Sequence, residues 1–249
     1  MPFTFFSHQA AVLPLKVARP AWFDGAALVL GSMGPDMAYV LLPELRVASH
    51  SFAGILYWSV PMALSLLPIL RHGVAPGIAV YGPPRLAAFA HLARSRHPWW
   101  KTAACAGFGA LTHVLWDGTT HPEGTFVGRW SLLKDRIYET DRTLAFRFSL
   151  LHHGSSIVGA LLSMWLLARY AKRLPALPPP WPWSEEAARS YRITVVAFGA
   201  AGLLFGASSF AEGGPEGAVI RATTLFFVGL LVAQHRARII ARREGAHVY

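Results

Sequence analysis

"SFAGILYWSVPMALSLLPIL", residues 51–70, decides the class of fold. It carries no charged side chain and is about as long as an α-helix must be to cross the hydrocarbon of a bilayer. Three further stretches read the same way: "FSLLHHGSSIVGALLSMWLLARY" (148–170), "ITVVAFGAAGLLFGASSF" (193–210) and "AVIRATTLFFVGLLVAQ" (218–234). A fifth, "KTAACAGFGALTHVLWDG" (101–118), is less oily. "AWFDGAALVLGSMGPDMAYVLL" (21–42) is apolar but interrupted by Gly and Pro, and reads as two half-helices or a re-entrant turn. The expectation is an all-α integral-membrane bundle of about five spans plus such half-helices. The Pro-rich "LPALPPPWPW" (174–183) reads as a stiff linker. The expected division is a helical membrane domain over 1–173, a linker over 174–189 and a C-terminal helix pair over 190–249. No internal repeat is visible.

Composition supports a membrane setting. Of 249 residues, 53% are hydrophobic and 14% charged, against about 25% charged in soluble domains. The net charge is +10, but the Arg and Lys residues sit at the ends of apolar runs rather than in a patch on a polar surface. That argues against a nucleic-acid binder. Nine Trp and seven Tyr suit interfacial belts. The single Cys105 excludes an internal disulfide and a cysteine-rich zinc site. The N-terminal "MPFTFFSHQAAVLPLKVARP" lacks the pattern of a cleaved signal peptide.

Basic residues predict orientation. Arg71, Arg85, Arg94, Arg96 and Lys101 fall in one connection, Arg169 to Arg192 in a second, and Arg236 to Arg243 in the tail. These three regions are expected on the cytoplasmic side. The alternate connections then lie outside. His50, His113 to His121 and His152–His153 would sit at one depth near the outer face.

Within "LTHVLWDGTTH" (111–121), His113 and Asp117 are four residues apart and share a helix face. Ionisable groups at membrane depth are costly and usually functional. The candidates are His8, Asp36, His50, His113, Asp117, His121 and His153. Imidazole and carboxylate are zinc ligands, and a catalytic zinc keeps a coordination position open for water. His121 lies past Gly118 and can turn toward a second ion. "SHS" (49–51) begins a helix, where serines cap. His72, His91, His97, His235 and His247 stand alone and read as ordinary packing or surface residues. Arg129, Lys134, Arg136 and Arg142, in the connection beside the motif, read as phosphate-binding candidates or as solvated loop charges.

"FSHQAAVLPL", "GSMGPD", "SHS", "THVLWDGTTH" and "HHGSS" resemble a bacterial membrane family known as domain of unknown function 4184. The motifs are similar to those of membrane-bound metal-dependent hydrolases. More distantly, the order of His and Asp residues resembles the zinc-dependent phospholipase C and single-strand nuclease superfamily, all-helical enzymes in which three zinc ions hydrolyse phosphate esters. The resemblance implies a phospholipase-C-like core. It assigns His8 and Asp117 to one ion, His50, His113 and Asp117 to another, and His121 and His153 to a third. Asp36 would ligate or act as general base. Two departures reduce that set to between one and three ions. Ile157 stands where the superfamily has a ligating Glu, and the superfamily's processed N-terminal amine has no counterpart in this reading.

The expected activity is a membrane-embedded hydrolase, zinc-dependent, acting on a lipophilic phosphoester, ester or isoprenoid-type substrate. The alternative is a cyclase or isomerase of an isoprenoid-like substrate that uses the same cluster as acid and base, with aromatic side chains stabilising a cation. No Asp-rich diphosphate motif accompanies it. A transporter or scaffold would leave the clustered ligands unexplained.

Overall fold

The computed structural model describes residues 4–41, 47–140, 143–208 and 210–244. It is 81% helical. The main elements are α1 (Gln9–Ala18), α2 (Gly25–Leu41), α3 (Phe52–Tyr81), α4 (Phe89–Arg94), α5 (Trp99–Thr120), a hairpin of β1 (Arg136–Thr140) and β2 (Thr143–Phe146), then α6 (Arg147–Arg173), α7 (Glu185–Ser208) and α8 (Gly217–Arg243). The chain is thus an all-helical membrane-type protein. The antiparallel hairpin is its one departure from all-α among the described residues.

Four helices are long and apolar enough to cross a membrane: α3, α6, α7 and α8. The fifth expected span, α5, is helical over its expected length but is not among them. The reason lies in its composition. It carries Lys101, Thr102, Thr112, His113, Asp117 and several glycines, which lower its hydropathy. Along α6, Leu150, Ile157, Val158 and Leu161 point outward, as lipid-facing residues do. Residues 25–41 also differ from expectation. Pro35 removes one backbone donor without breaking the helix, so α2 runs unbroken through "GSMGPD". At 17 residues it is about 25 Å long, short of the ~30 Å hydrocarbon core.

The chain forms two compact units, and their boundary differs from the sequence division. One unit comprises Leu66–Arg96 and Arg173–Tyr249. Here α7 and α8 pack side by side with the second half of α3. Ala233, Ala237 and Ala241 recur every four residues on α8 and are fully buried, so small side chains let the helices approach closely. Gly214, at φ +61, makes the break before α8 in a backbone region that favours glycine. Gln234 accepts from the Gly77 N–H (2.8 Å) and donates to the His72 carbonyl. The Pro-rich segment is part of this unit rather than a free spacer. Trp181 is buried and donates to the Tyr81 hydroxyl (3.1 Å), while Arg94 donates to the Pro178 carbonyl (2.7 Å).

The other unit comprises Phe3–Ser65 and His97–Lys172. Its centre is the crossing of α2 and α5. A Cβ on Gly31 would lie 2.0 Å from the Ala106 carbonyl oxygen, and one on Gly109 2.3 Å from that of Leu28. Only glycine allows the two backbones this close. Asp24 fixes the start of α2: its Oδ1 accepts from the Ala27 N–H (3.3 Å) and its Oδ2 from the Thr102 hydroxyl on α5 (2.8 Å). The crossing sets the height of everything one turn further along α5.

Candidate metal centre

His113 lies one turn beyond Gly109 and is completely buried. Its Nδ1 is 2.7 Å from the Ser32 carbonyl oxygen, an acceptor only, so Nδ1 carries the proton and the Nε2 lone pair points the other way. His50 is held alike: its Nδ1 meets the buried Ser49 hydroxyl at 3.1 Å. Ser51 starts the following helix by accepting the Gly54 N–H at 2.9 Å, which fixes the turn that carries His50. Asp36 projects from α2 and Asp117 from α5.

These four side chains converge. His50 Nε2 is 3.2 Å from Asp36 Oδ1, 3.5 Å from Asp117 Oδ2 and 3.3 Å from His113 Nε2. His113 Nε2 is 3.1 Å from Asp117 Oδ2 and 3.6 Å from Asp36 Oδ1. All four donor atoms lie within 4.8 Å of one another. Zinc bonds of about 2.0–2.2 Å in tetrahedral arrangement separate adjacent ligand atoms by about 3.3–3.6 Å. The five spacings that involve an imidazole, 3.1 to 3.6 Å, overlap that range.

The second Asp117 oxygen faces another group. Oδ1 is buried and makes no hydrogen bond. His8 Nε2 lies 3.4 Å from it and His121 Nδ1 3.7 Å, within ion-pair reach but without hydrogen-bond geometry. The His8 ring stacks on His113 at 3.9 Å. Burial, with His113 beside it, pushes the His8 pKa down to about 3, so its imidazole is neutral, the form that ligates metals. A buried carboxylate oxygen flanked by imidazoles that do not hydrogen-bond to it suits a cation as the missing partner. The donor set therefore fits a metal ion at Asp117 Oδ2, with a less complete set of donors at Oδ1.

Six of the residues expected at the site thus meet: His8, Asp36, His50, His113, Asp117 and His121. Of the adjacent histidines of α6, the one whose ring packs on His121 is His152, not the expected His153. His152 is buried and its ring lies 4.8 Å from that of His121, edge to face, whereas His153 is exposed. The helical period explains the exchange. His152, Ser156 and Ser163 form the buried polar stripe of α6, and His153 is rotated about 100° away from it. Ile157 is 64% exposed, so the superfamily's ligating Glu has no equivalent in the cluster. Arg129 and Arg136 lie exposed at the end of a short helix and the start of β1, and Lys134 donates to the Gly128 carbonyl at 3.3 Å. Arg142 lies outside the described residues. Sequence reasoning also missed Ser32, whose contribution is a carbonyl, and Tyr39, whose exposed ring stacks on His50 at 5.6 Å.

Comparison with known proteins gives a family but no relative of known activity. No curated protein and no solved structure matches the chain significantly. A family model matches residues 1–236, and the chain belongs to that family, described as domain of unknown function (DUF4184).

Proposed function

We propose that the protein is a membrane-embedded, metal-dependent hydrolase, with zinc as the fitting ion and a lipophilic phosphoester, ester or isoprenoid-type compound as substrate. The observation that carries this is that each of the His50 and His113 Nε2 atoms lies 3.1 to 3.6 Å from both the Asp36 and the Asp117 carboxylate, all four donor atoms being within 4.8 Å of one another. His50, His113 and Asp117 would hold the ion. Asp117 Oδ1, with His8 and His121, would hold a second. When bound, zinc supplies a water that ionises near pH 7 and an electrophile for the scissile oxygen.

The protein's own part is positioning and proton transfer. The Ser32 carbonyl and the Ser49 hydroxyl orient the two imidazoles, so their Nε2 atoms are fixed before any ligand arrives. Asp36 Oδ1 would ligate, or would accept the proton of the attacking water and return it to the leaving group. The His50 and Asp36 side chains are 27% and 17% exposed, against 0% for His113, so substrate would enter from their side. Lipophilic substrate follows from the membrane setting and the outward apolar face of α6. The basic residues between spans support a cytoplasmic C-terminus and a site near the outer face.

Metal analysis of the detergent-purified protein, with and without His113→Ala, tests the binding. Hydrolysis of membrane lipid extracts in isotopically heavy water, before and after chelation, tests the chemistry. The expected result is bound metal in the wild type only, and label incorporated into product until chelation stops it. Activity that persists in full after exhaustive chelation, without label in the product, would instead establish the acid–base cyclase or isomerase.

A further inference from the structure

At the opposite end of α5 from the metal centre lies a cavity of about 650 Å³. Its wall is apolar: Trp22 and Phe23 from the turn before α2, and Trp100, Ala104, Cys105 and Phe108 from α5. Its one charged lining residue is Lys101. We propose that this cavity binds an anionic phospholipid, with an acyl chain along the aromatic wall and the headgroup phosphate at Lys101.

Three observations carry the assignment. First, large rings around the opening are left in contact with the surroundings, Trp22 at 70% and Trp100 at 59% exposure. Tryptophan is favoured where one edge of the ring meets headgroups and the other meets chains. The opening is therefore placed at a membrane interface, where lipid is the abundant occupant. Second, the charge selects a sign. Lys101 makes one long contact, 3.4 Å to the Ala21 carbonyl, and its ammonium has three donors, so the others can meet a phosphate. Arg19 is exposed in the same turn. The acid of this corner, Asp24, is 1% exposed and has one oxygen on the Ala27 N–H and the other on the Thr102 hydroxyl. Third, the volume falls in the range of small-molecule sites. The site is separate from the metal centre and does not depend on the hydrolase reading.

Cys105 is 5% exposed, but Ala104 beside it is exposed and lines the same cavity, so Ala104→Cys in a Cys105→Ala background makes the proposal measurable with a single accessible thiol. The full-length protein with that pair of substitutions is reconstituted in nanodiscs of phosphatidylcholine alone or with phosphatidylglycerol, and alkylation of the thiol introduced at position 104 by N-ethylmaleimide is timed. Phosphatidylglycerol should slow alkylation relative to phosphatidylcholine. Lys101→Gln should reduce that preference about fivefold, the worth of one basic residue beside an anionic surface, and Lys101→Arg should retain it. Equal rates in the two lipids with Lys101 in place would overturn the anionic assignment, whatever the Lys101 variants do. Protection by inorganic phosphate alone, or by oleate alone in the absence of phospholipid, would overturn it in favour of a free anion or a free fatty acid.

Discussion

Gly109→Ala adds one methyl group at the point where α2 and α5 touch. Its Cβ would lie 2.3 Å from the Leu28 carbonyl oxygen and 2.7 Å from the Ser32 amide nitrogen. Both are backbone atoms and cannot rotate aside. An ordinary contact begins near 3.4 Å, so α5 must retreat by about 1.1 Å, the difference from 2.3 Å. His113 rides on the next turn, and its 2.7 Å bond to the Ser32 carbonyl would lengthen to about 3.8 Å, past the limit of a hydrogen bond. Overpacking of this kind costs ~1–3 kcal/mol, the lost hydrogen bond ~1 kcal/mol, and alanine's better helix propensity returns ~1 kcal/mol. The expected net loss is about 1–3 kcal/mol, a fall of about 2–12 °C in Tm for a chain of this size. Gly107→Ala is the matched control. Two residues away, its Cβ would meet only Val60 Cγ2 at 3.5 Å, and the same propensity gain should raise Tm. Thermal unfolding and metal titration of both variants in one detergent give the comparison. If Gly109→Ala matches the wild type in Tm and in metal affinity, the crossing does not set the position of His113.

Other perturbations separate the parts of the cluster. Asp117→Asn should abolish metal retention, because one carboxylate serves both groups of donors, whereas His8→Ala should remove one ion and leave one, as counted by elemental analysis. Ser49→Ala should weaken metal binding about 10- to 100-fold by freeing the His50 ring. Ser51→Ala should instead cost ~1 kcal/mol of stability through the lost helix cap, with affinity little changed. His152→Ala should lower metal content or activity where His153→Ala does not, and the opposite order would show that α6 is rotated from the orientation described.

The membrane class was legible because it depends on composition over twenty-residue windows, and four of the five expected spans qualify. The fifth shows where that reading stops. A window average assumes that a helix meets lipid all round. Residues of α5 such as Ala106, Gly109 and His113 are buried against protein instead, packed on α2 over the glycine crossing. Such a helix can carry His113 on its protein-facing side while Phe108, Leu115 and Trp116 lie exposed, and an average that counts every residue alike comes out low. The division into units was less legible. Sequence order placed α3 wholly with the first domain, but its second half faces Gln234 and Tyr191 through Gly77, and pairing at that sequence distance leaves no local signal.

The candidate site was legible to the extent that its chemistry resides in side chains with a fixed spacing. His113 and Asp117 follow from one turn of helix, and His8, Asp36, His50 and His121 from residue type in an acid-poor chain. Two features escaped for different physical reasons. The Ser32 carbonyl orients His113, but a backbone acceptor is present at every residue and only the close approach of two glycines selects this one. His152 was within reach, since the small polar residues Ser156 and Ser163 mark its face of α6, and a metal ligand must share the buried stripe of its helix. The choice between adjacent histidines is a question of helical phase, about 100° per residue. Phase can be read from the serines even when the motif itself offers two equal candidates. The same argument covers Ile157. One residue past Ser156, it points outward with His153, so a carboxylate at that position would face lipid rather than the cluster.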